Sequence, residues 1–180
     1  MRAEYVPLPP PQSIESIPLY LQNELQRIAR MLGGISERHA VGMYLNAASD
    51  TISSVSSTPV VIDSFDTLSG NATGIEANTD GTLTFNTGLD YTITLSGDCY
   101  ASGGGSTTMT IGLYNDGTLE PGSNTSFTHS SGSNANAISI TVSGSAVAGD
   151  VLDFRVSADS TVDVTFSNMS IHVSGQLSDV

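Results

Sequence analysis

From Ala137 to Val156 the chain alternates apolar and polar residues, turns, and alternates again. Ile138, Ile140 and Val142 are separated by Ser139, Thr141 and Ser143, the period of two expected of a strand with one buried face. Gly149-Asp150 supplies a turn. Leu152, Phe154 and Val156 then share a face, with Asp153 and Arg155 on the other. The pattern predicts a β-hairpin-like pair. Such a pair alone is barely stable in water, so more strands have to surround it.

The rest of the chain beyond Pro59 supplies them. Val60 to Phe65 reads as a strand, and Ser69 to Asp80 as a loop with turn signals at Gly70-Asn71 and Asp80-Gly81. Leu83 and Phe85 share one face, and Tyr91, Ile93 and Leu95 continue an inward face on the next strand, with Cys99 keeping their parity. Ser102 to Ser106 is a glycine-rich loop. Met109, Ile111 and Leu113 form another face that ends at Asn115-Asp116-Gly117, and residues 118–135 are a polar excursion with a short strand near Phe127. The final strand, Val162 to Val173, changes parity between Phe166 and Met169. A bulge at Ser167-Asn168 would keep Val162, Val164, Phe166, Met169, Ile171 and Val173 on one buried face, and asparagine tolerates the backbone that a bulge requires. About eight strands with no helix among them predict a mainly β, antiparallel jelly-roll sandwich over residues 59–180.

The N-terminal third differs. Tyr5-Val6-Pro7-Leu8-Pro9-Pro10-Pro11-Gln12 is expected to be extended, because proline fixes its own φ and restricts the residue before it. It serves either as a stiff spacer or as a docking peptide that buries Tyr5, Val6 and Leu8. Ser16 to Leu32 is the one clear helix, with Ser16 as cap, Pro18 in the first turn and Gly33-Gly34 as terminator. Leu21, Leu25, Ile28 and Leu32 recur at spacings of four and three, flanked by Pro18 and Ile35, as in a coiled-coil seam. A helix this short is marginal in isolation, so the stripe has to pack on the chain's own body, on symmetry mates or on a partner protein, and the proline arm before it and the polar linker after it favour mates or a partner. Residues 1–35 therefore form an arm and an anchoring helix. Residues 36–58 read as a linker, with a short alternation at Val41, Met43 and Leu45.

Charge separates the same regions. The formal net charge is −13, and the chain has no lysine. Four arginines and four glutamates cancel within residues 1–45, whereas the other fourteen carboxylates face Arg155 alone. A nucleic-acid partner is not expected, since binding a polyanion requires clustered cations. Nor is membrane insertion, for no stretch approaches the roughly 20 apolar residues of a span. The N-terminus leads into prolines and does not read as a signal peptide.

No catalytic or metal-binding constellation stands out, and neither an enzymatic activity nor a cofactor is expected. Cys99 has no second cysteine to pair with and reads as a small core residue. His39, His129 and His172 are scattered, with His172 outward on the last strand. Most aspartates sit in turns (Asp80, Asp90, Asp116, Asp150), where their backbone hydrogen bonding favours them.

Asp80-Gly81-Thr82-Leu83-Thr84-Phe85 with Gly88-Leu89-Asp90-Tyr91-Thr92-Ile93, then Ile111-Gly112-Leu113-Tyr114-Asn115-Asp116-Gly117, Ala148-Gly149-Asp150-Val151-Leu152-Asp153-Phe154 and Thr165-Phe166-Ser167-Asn168-Met169, occur in that order. Together they resemble the jelly rolls of the tumour necrosis factor and complement-globular-head superfamily. Asn168 and Met169 depart from its closing motif. The resemblance implies a homotrimer, packed around apolar and aromatic strand faces on which Phe85, Tyr91, Ile93, Phe154, Phe166 and Ile171 are the candidate trimer or core residues. A single copy would then leave Tyr91 or Phe166 partly exposed.

Pro7-Leu8-Pro9-Pro10-Pro11-Gln12-Ser13, followed by Leu21 and Glu24-Leu25 to Ile28-Ala29, is similar to the leaders of tailed-bacteriophage virion proteins. That likeness implies a head fibre or decoration protein made in the host cytoplasm and displayed on the virion exterior. Its docking residues on a capsid or other virion protein would be Tyr5, Val6, Leu8, Leu21, Leu25, Ile28 and Leu32. The alternative is a receptor-binding tail fibre tip whose loops at 99–107 and 118–135 contact a host surface ligand.

Overall fold

The computed structural model describes residues 20–21, 23–25, 28, 39–44, 49–69, 74–103, 105–130 and 135–177. The chain divides into two units, Met1–Arg38 and His39–Val180. In the first, residues 20, 21, 23–25 and 28 are helical. The proline arm and most of the remaining helix expected over 16–32 lie outside the described residues.

The second unit is built of strands. They are β1 (His39–Tyr44), β2 (Asp50–Val55), β3 (Val60–Val61), β4 (Thr67–Ser69), β5 (Ile75–Ala77), β6 (Thr82–Phe85), β7 (Leu89–Ser102), β8 (Ser106–Asn115), β9 (Thr118–Leu119), β10 (Thr125–Ser130), β11 (Asn136–Ala146), β12 (Val151–Ala158) and β13 (Val162–Leu177). One sheet runs β11-β7-β13-β1-β4, with β2 paired to β13; the other runs β10-β8-β12-β6-β5, with β3 on β12 and β9 on β8. All of the pairings are antiparallel. Counting only the eight principal strands β1, β6, β7, β8, β10, β11, β12 and β13, the sheets read 6-3-8-1 and 5-4-7-2. That is the jelly-roll order, in which a chain folded double is wrapped into two sheets.

Three expectations are corrected. First, β11 and β12 do not form a hairpin, since β11 pairs with β7 and β12 with β8, β6 and β3. The Gly149-Asp150 turn carries the chain from one sheet to the other. Gly149 donates to the Phe85 carbonyl at 2.7 Å, and Phe85 donates back to the Asp150 carbonyl at 2.9 Å, so the turn is bound to β6. Alternation reports which face is buried and says nothing about which strand lies alongside.

Second, the compact body begins at His39, not at Pro59. The presumed linker 36–58 contains β1, aligned along β13 from His39↔Gly175 to Tyr44↔Ser170, and β2, on the other end of β13. Val41 and Met43 are core residues, and Leu45 lies outside the described residues. The serine-rich composition of 46–58 resembles a linker because Thr51 and Ser53 meet solvent.

Third, the polar loops are shorter than expected. β7 extends to Ser102 and β8 begins at Ser106. β5 lies within 69–80, and β9 lies within 118–135, where β10 is the short strand expected near Phe127.

The interior follows the sequence parity. Phe85, Ile93, Phe154, Phe166 and Ile171 are fully buried and Tyr91 nearly so, all within one chain. Each such side chain contributes about 1.5–3 kcal/mol relative to exposure. The expectation that Tyr91 and Phe166 stay partly exposed in a lone copy is therefore corrected: the second sheet covers both. The parity change in β13 is a bulge, with the register against β7 shifting between Ser167 and Ser170 and Asn168 at φ +54°. Asn168 Nδ2 donates to Asp98 Oδ2 at 2.9 Å. Opposite the bulge stands Gly97, where a Cβ would collide with the Met169 side chain and approach its Cα to 3.0 Å.

Candidate functional site

Four surface features of the two units carry chemistry. The first is the outer face of the β11-β7-β13-β1 sheet. Alternation that turns isoleucine and valine inward turns serine and threonine outward, and the hydroxyls bond one another across strands. Thr92 and Ser143 lie 3.0 Å apart, Thr94 and Thr141 3.1 Å, Ser96 and Ser170 2.8 Å, and Thr51 and Thr165 2.9 Å. His172 is exposed among them, in register with Thr94 on β7 and Gly42 on β1. Tyr44 folds over Gly42, with its hydroxyl 2.9 Å from where a Cβ would stand. The face is small, polar and laterally hydrogen-bonded. The apolar strand faces implied by the sequence resemblance are instead turned into the sandwich.

The outer face of the second sheet carries an ion pair. Asp153 on β12 is 5% exposed, in register between Tyr114 on β8 and Thr82 on β6. Arg155 donates from Nε to Asp153 Oδ1 at 2.6 Å and from Nη2 to Oδ2 at 2.9 Å, and its guanidinium lies 4.9 Å from the centre of the Tyr114 ring. The bidentate bond to Asp153 raises the Arg155 pKa above its ordinary value. The body's one arginine is thus tied to a carboxylate and an aromatic face. Sequence alone did not reveal this cluster, because Tyr114 and Asp153 meet only through strand pairing.

The two ends of the sandwich differ. At one end Tyr100 is 41% exposed, and its ring centre lies 6.4 Å from that of His129, which is buried. His129 Nδ1 is 3.2 Å from Asn136 Nδ2, a bond joining β10 to β11 across the sheets. At the other end the Asp116-Gly117 turn, with φ +47° and +80°, links β8 to β9. There Ser145 donates to Asp90 at 2.6 Å, and Asp150 accepts from the Val147 amide at 3.0 Å. The Tyr91 hydroxyl is pushed up to about 12, first by burial and then by the charges of Glu120 and Asp150. Among the described residues no group of three or more His, Cys, Asp or Glu could hold a metal ion. Cys99 is buried, and burial followed by the nearby Asp98 pushes its thiol up to about 12, which suppresses the reactive thiolate.

In the first unit, the helical residues Leu21, Leu25 and Ile28 are 51%, 65% and 37% exposed. Tyr5, Val6, Leu8 and Leu32 lie outside the described residues. Among the described residues, no helix is long and apolar enough to cross a membrane.

The chain matches no protein-family model, and no curated protein matches it. Among solved structures, it is similar to the structure of Eiger TNF from S. frugiperda, at 12% identity and a TM-score of 0.48, over 80% of this chain and 95% of that one.

Proposed function

We propose that this chain is a structural, non-enzymatic virion protein of a tailed bacteriophage: a trimeric head fibre or decoration protein that docks on the particle through residues 1–35 and displays its jelly roll on the virion exterior. One contrast carries the reading. Leu21, Leu25 and Ile28 are exposed at seam spacing on a near-neutral arm, while the acidic body buries most of its large apolar side chains between its sheets and exposes others, such as Leu68, Tyr100 and Val147, without helical seam spacing. Helix stripes of this kind are buried by other helices. The seam is the contact that holds three copies together or seats them on a capsid protein. Because Tyr91 and Phe166 are used inside the monomer, their burial does not contribute to a trimer.

Deleting residues 1–38 should abolish incorporation into particles and leave a folded, soluble body. Particles that still carry the truncated chain would overturn the docking role. A second reading, a receptor-binding tail fibre tip, is favoured by Tyr100, exposed beside His129 where β7 outruns β11. Aromatic side chains with polar neighbours suit a host-surface glycan. Binding of the purified body to host cells, lost on Tyr100→Ala, would favour that reading over the first.

A further inference from the structure

The four sheet edges of the body are not alike. β4 and β5, at one end of each sheet, are three residues long; beside them β2, which carries Asp50, has six residues on β13, and β3 has two on β12. β10 has six residues, and its His129 bonds the first residue of β11, Asn136. β11 is an eleven-residue edge strand that pairs, among the described residues, with β7 alone. Its register with β7 runs from Asn136↔Cys99 to Ala146↔Leu89 without a shift. Its sequence, Asn136 to Ala146, contains no charge and no proline. A long, uncharged, bulge-free edge is what folded proteins ordinarily avoid, because its open backbone groups accept another strand. Among the described residues β11 is the longest of these edges, nearly twice the length of β2 or β10.

We propose that β11 pairs antiparallel with β11 of a second copy, about a twofold axis at Thr141. Self-pairing fits the charge distribution. In a chain of net −13, contacts between copies have to avoid setting carboxylates against each other, and β11 brings none. The nearest carboxylates flanking it, Asp90 and Asp98, sit one strand inward, opposite Ser145 and Ala137. Across the twofold, Asp98 faces Asp90 of the second copy through about three strand spacings, roughly 14 Å, beyond the Debye length of about 8 Å. The register is self-complementary. Thr141 meets Thr141 of the second copy, Ser139 meets Ser143, and half-buried Val142 meets Ile140, completing the cover over an apolar row. This contact is separate from the helix seam and joins bodies directly.

Cross-linking in a Cys99→Ser background tests the register. Thr141→Cys should form a disulfide-linked dimer on mild oxidation, because facing residues in an antiparallel pair lie within disulfide reach. Ser139→Cys alone should not, whereas a mixture of Ser139→Cys and Ser143→Cys chains should. No Thr141→Cys dimer, or equal cross-linking of all three single variants, overturns the pairing. By sedimentation, Thr141→Lys should weaken association about tenfold or more, since like charges would face each other, and mixing it with Thr141→Glu should restore it. Failure of either arm overturns the proposal. Thr141 is exposed, so these variants keep the fold. A full-chain assembly unaffected by Thr141→Lys and giving no Thr141→Cys dimer would sink the edge pairing and leave the trimer reading intact. A full chain that forms no trimers yet still gives the Thr141→Cys dimer would do the reverse.

Discussion

Leu25 in the arm and Leu95 in the body are the same residue in opposite situations: Leu25 is 65% exposed, and Leu95 is completely buried. Both belong to regular apolar patterns, one with a period near 3.6 and the other with a period of two. The difference lies in what closes over them. The sheet of Leu95 is covered by a second sheet of the same chain, whereas a lone helix has one stripe and no second layer. A pattern that its own chain completes yields stability, and one left incomplete is available for association. On the function proposed above, the body serves folding and the arm docking.

The largest test of the contrast is truncation of matched apolar side chains. Phe166→Ala should cost the body about 3–5 kcal/mol in chemical denaturation, as a cavity opens between the sheets. Leu25→Ala should move that same transition by less than about 0.5 kcal/mol while weakening assembly. A body destabilised comparably by Leu25→Ala would break the division between the two regions.

Gly97→Ala probes how tightly the body is closed. A Cβ there collides with Met169 at the β13 bulge, so a loss of about 1–3 kcal/mol is expected. Asn168→Gly should cost no more than about 1 kcal/mol, since glycine accepts the positive φ at no steric cost and only the exposed bond to Asp98 is lost. Arg155→Met should destabilise by about 1–2 kcal/mol, because Asp153 keeps its buried carboxylate while losing two charge-assisted bonds; partial exposure of the arginine holds the figure below that of a fully buried pair. Asp153→Asn made together with Arg155→Met should recover part of that loss.

The last test is titration, whose effect is absent at neutral pH. Cys99 and Tyr91 are raised from 9.0 and 10.0 to about 12. The unfolded chain releases both protons above those lower values, while the folded chain keeps them, so these two groups should leave folding stability unaffected below about pH 9 and lower it between about 9 and 12. Cys99→Ala should flatten the lower part of that decline. A thiol reagent at pH 8 should label Cys99 only in denaturant, and rapid labelling of the folded protein would contradict its enclosure.

Much of the body was legible in the sequence because a strand's two faces are set by alternation, a local property. The inward sets on β7, β8, β12 and β13 follow directly, as does the bulge at Asn168, where six apolar residues could share one face only if the parity shifted. Turn chemistry was equally local: Asp116-Gly117 demanded positive φ and received it. The linker reading of 36–58 failed because strand β2 has few apolar residues of its own and is held by pairing with β13. Partner choice was not legible at all. That β11 leaves β12 for β7, that Asp153 lies beside Tyr114, and that His129 reaches Asn136 depend on contacts between residues far apart or on different sheets, and strand alternation is the same whichever neighbour is chosen. Composition and periodicity by themselves determined an acidic sandwich preceded by a neutral amphipathic arm. The tertiary structure decided which strands are neighbours, which edge stays open and which apolar side chains are used up within one chain, because those outcomes depend on how two sheets close over each other.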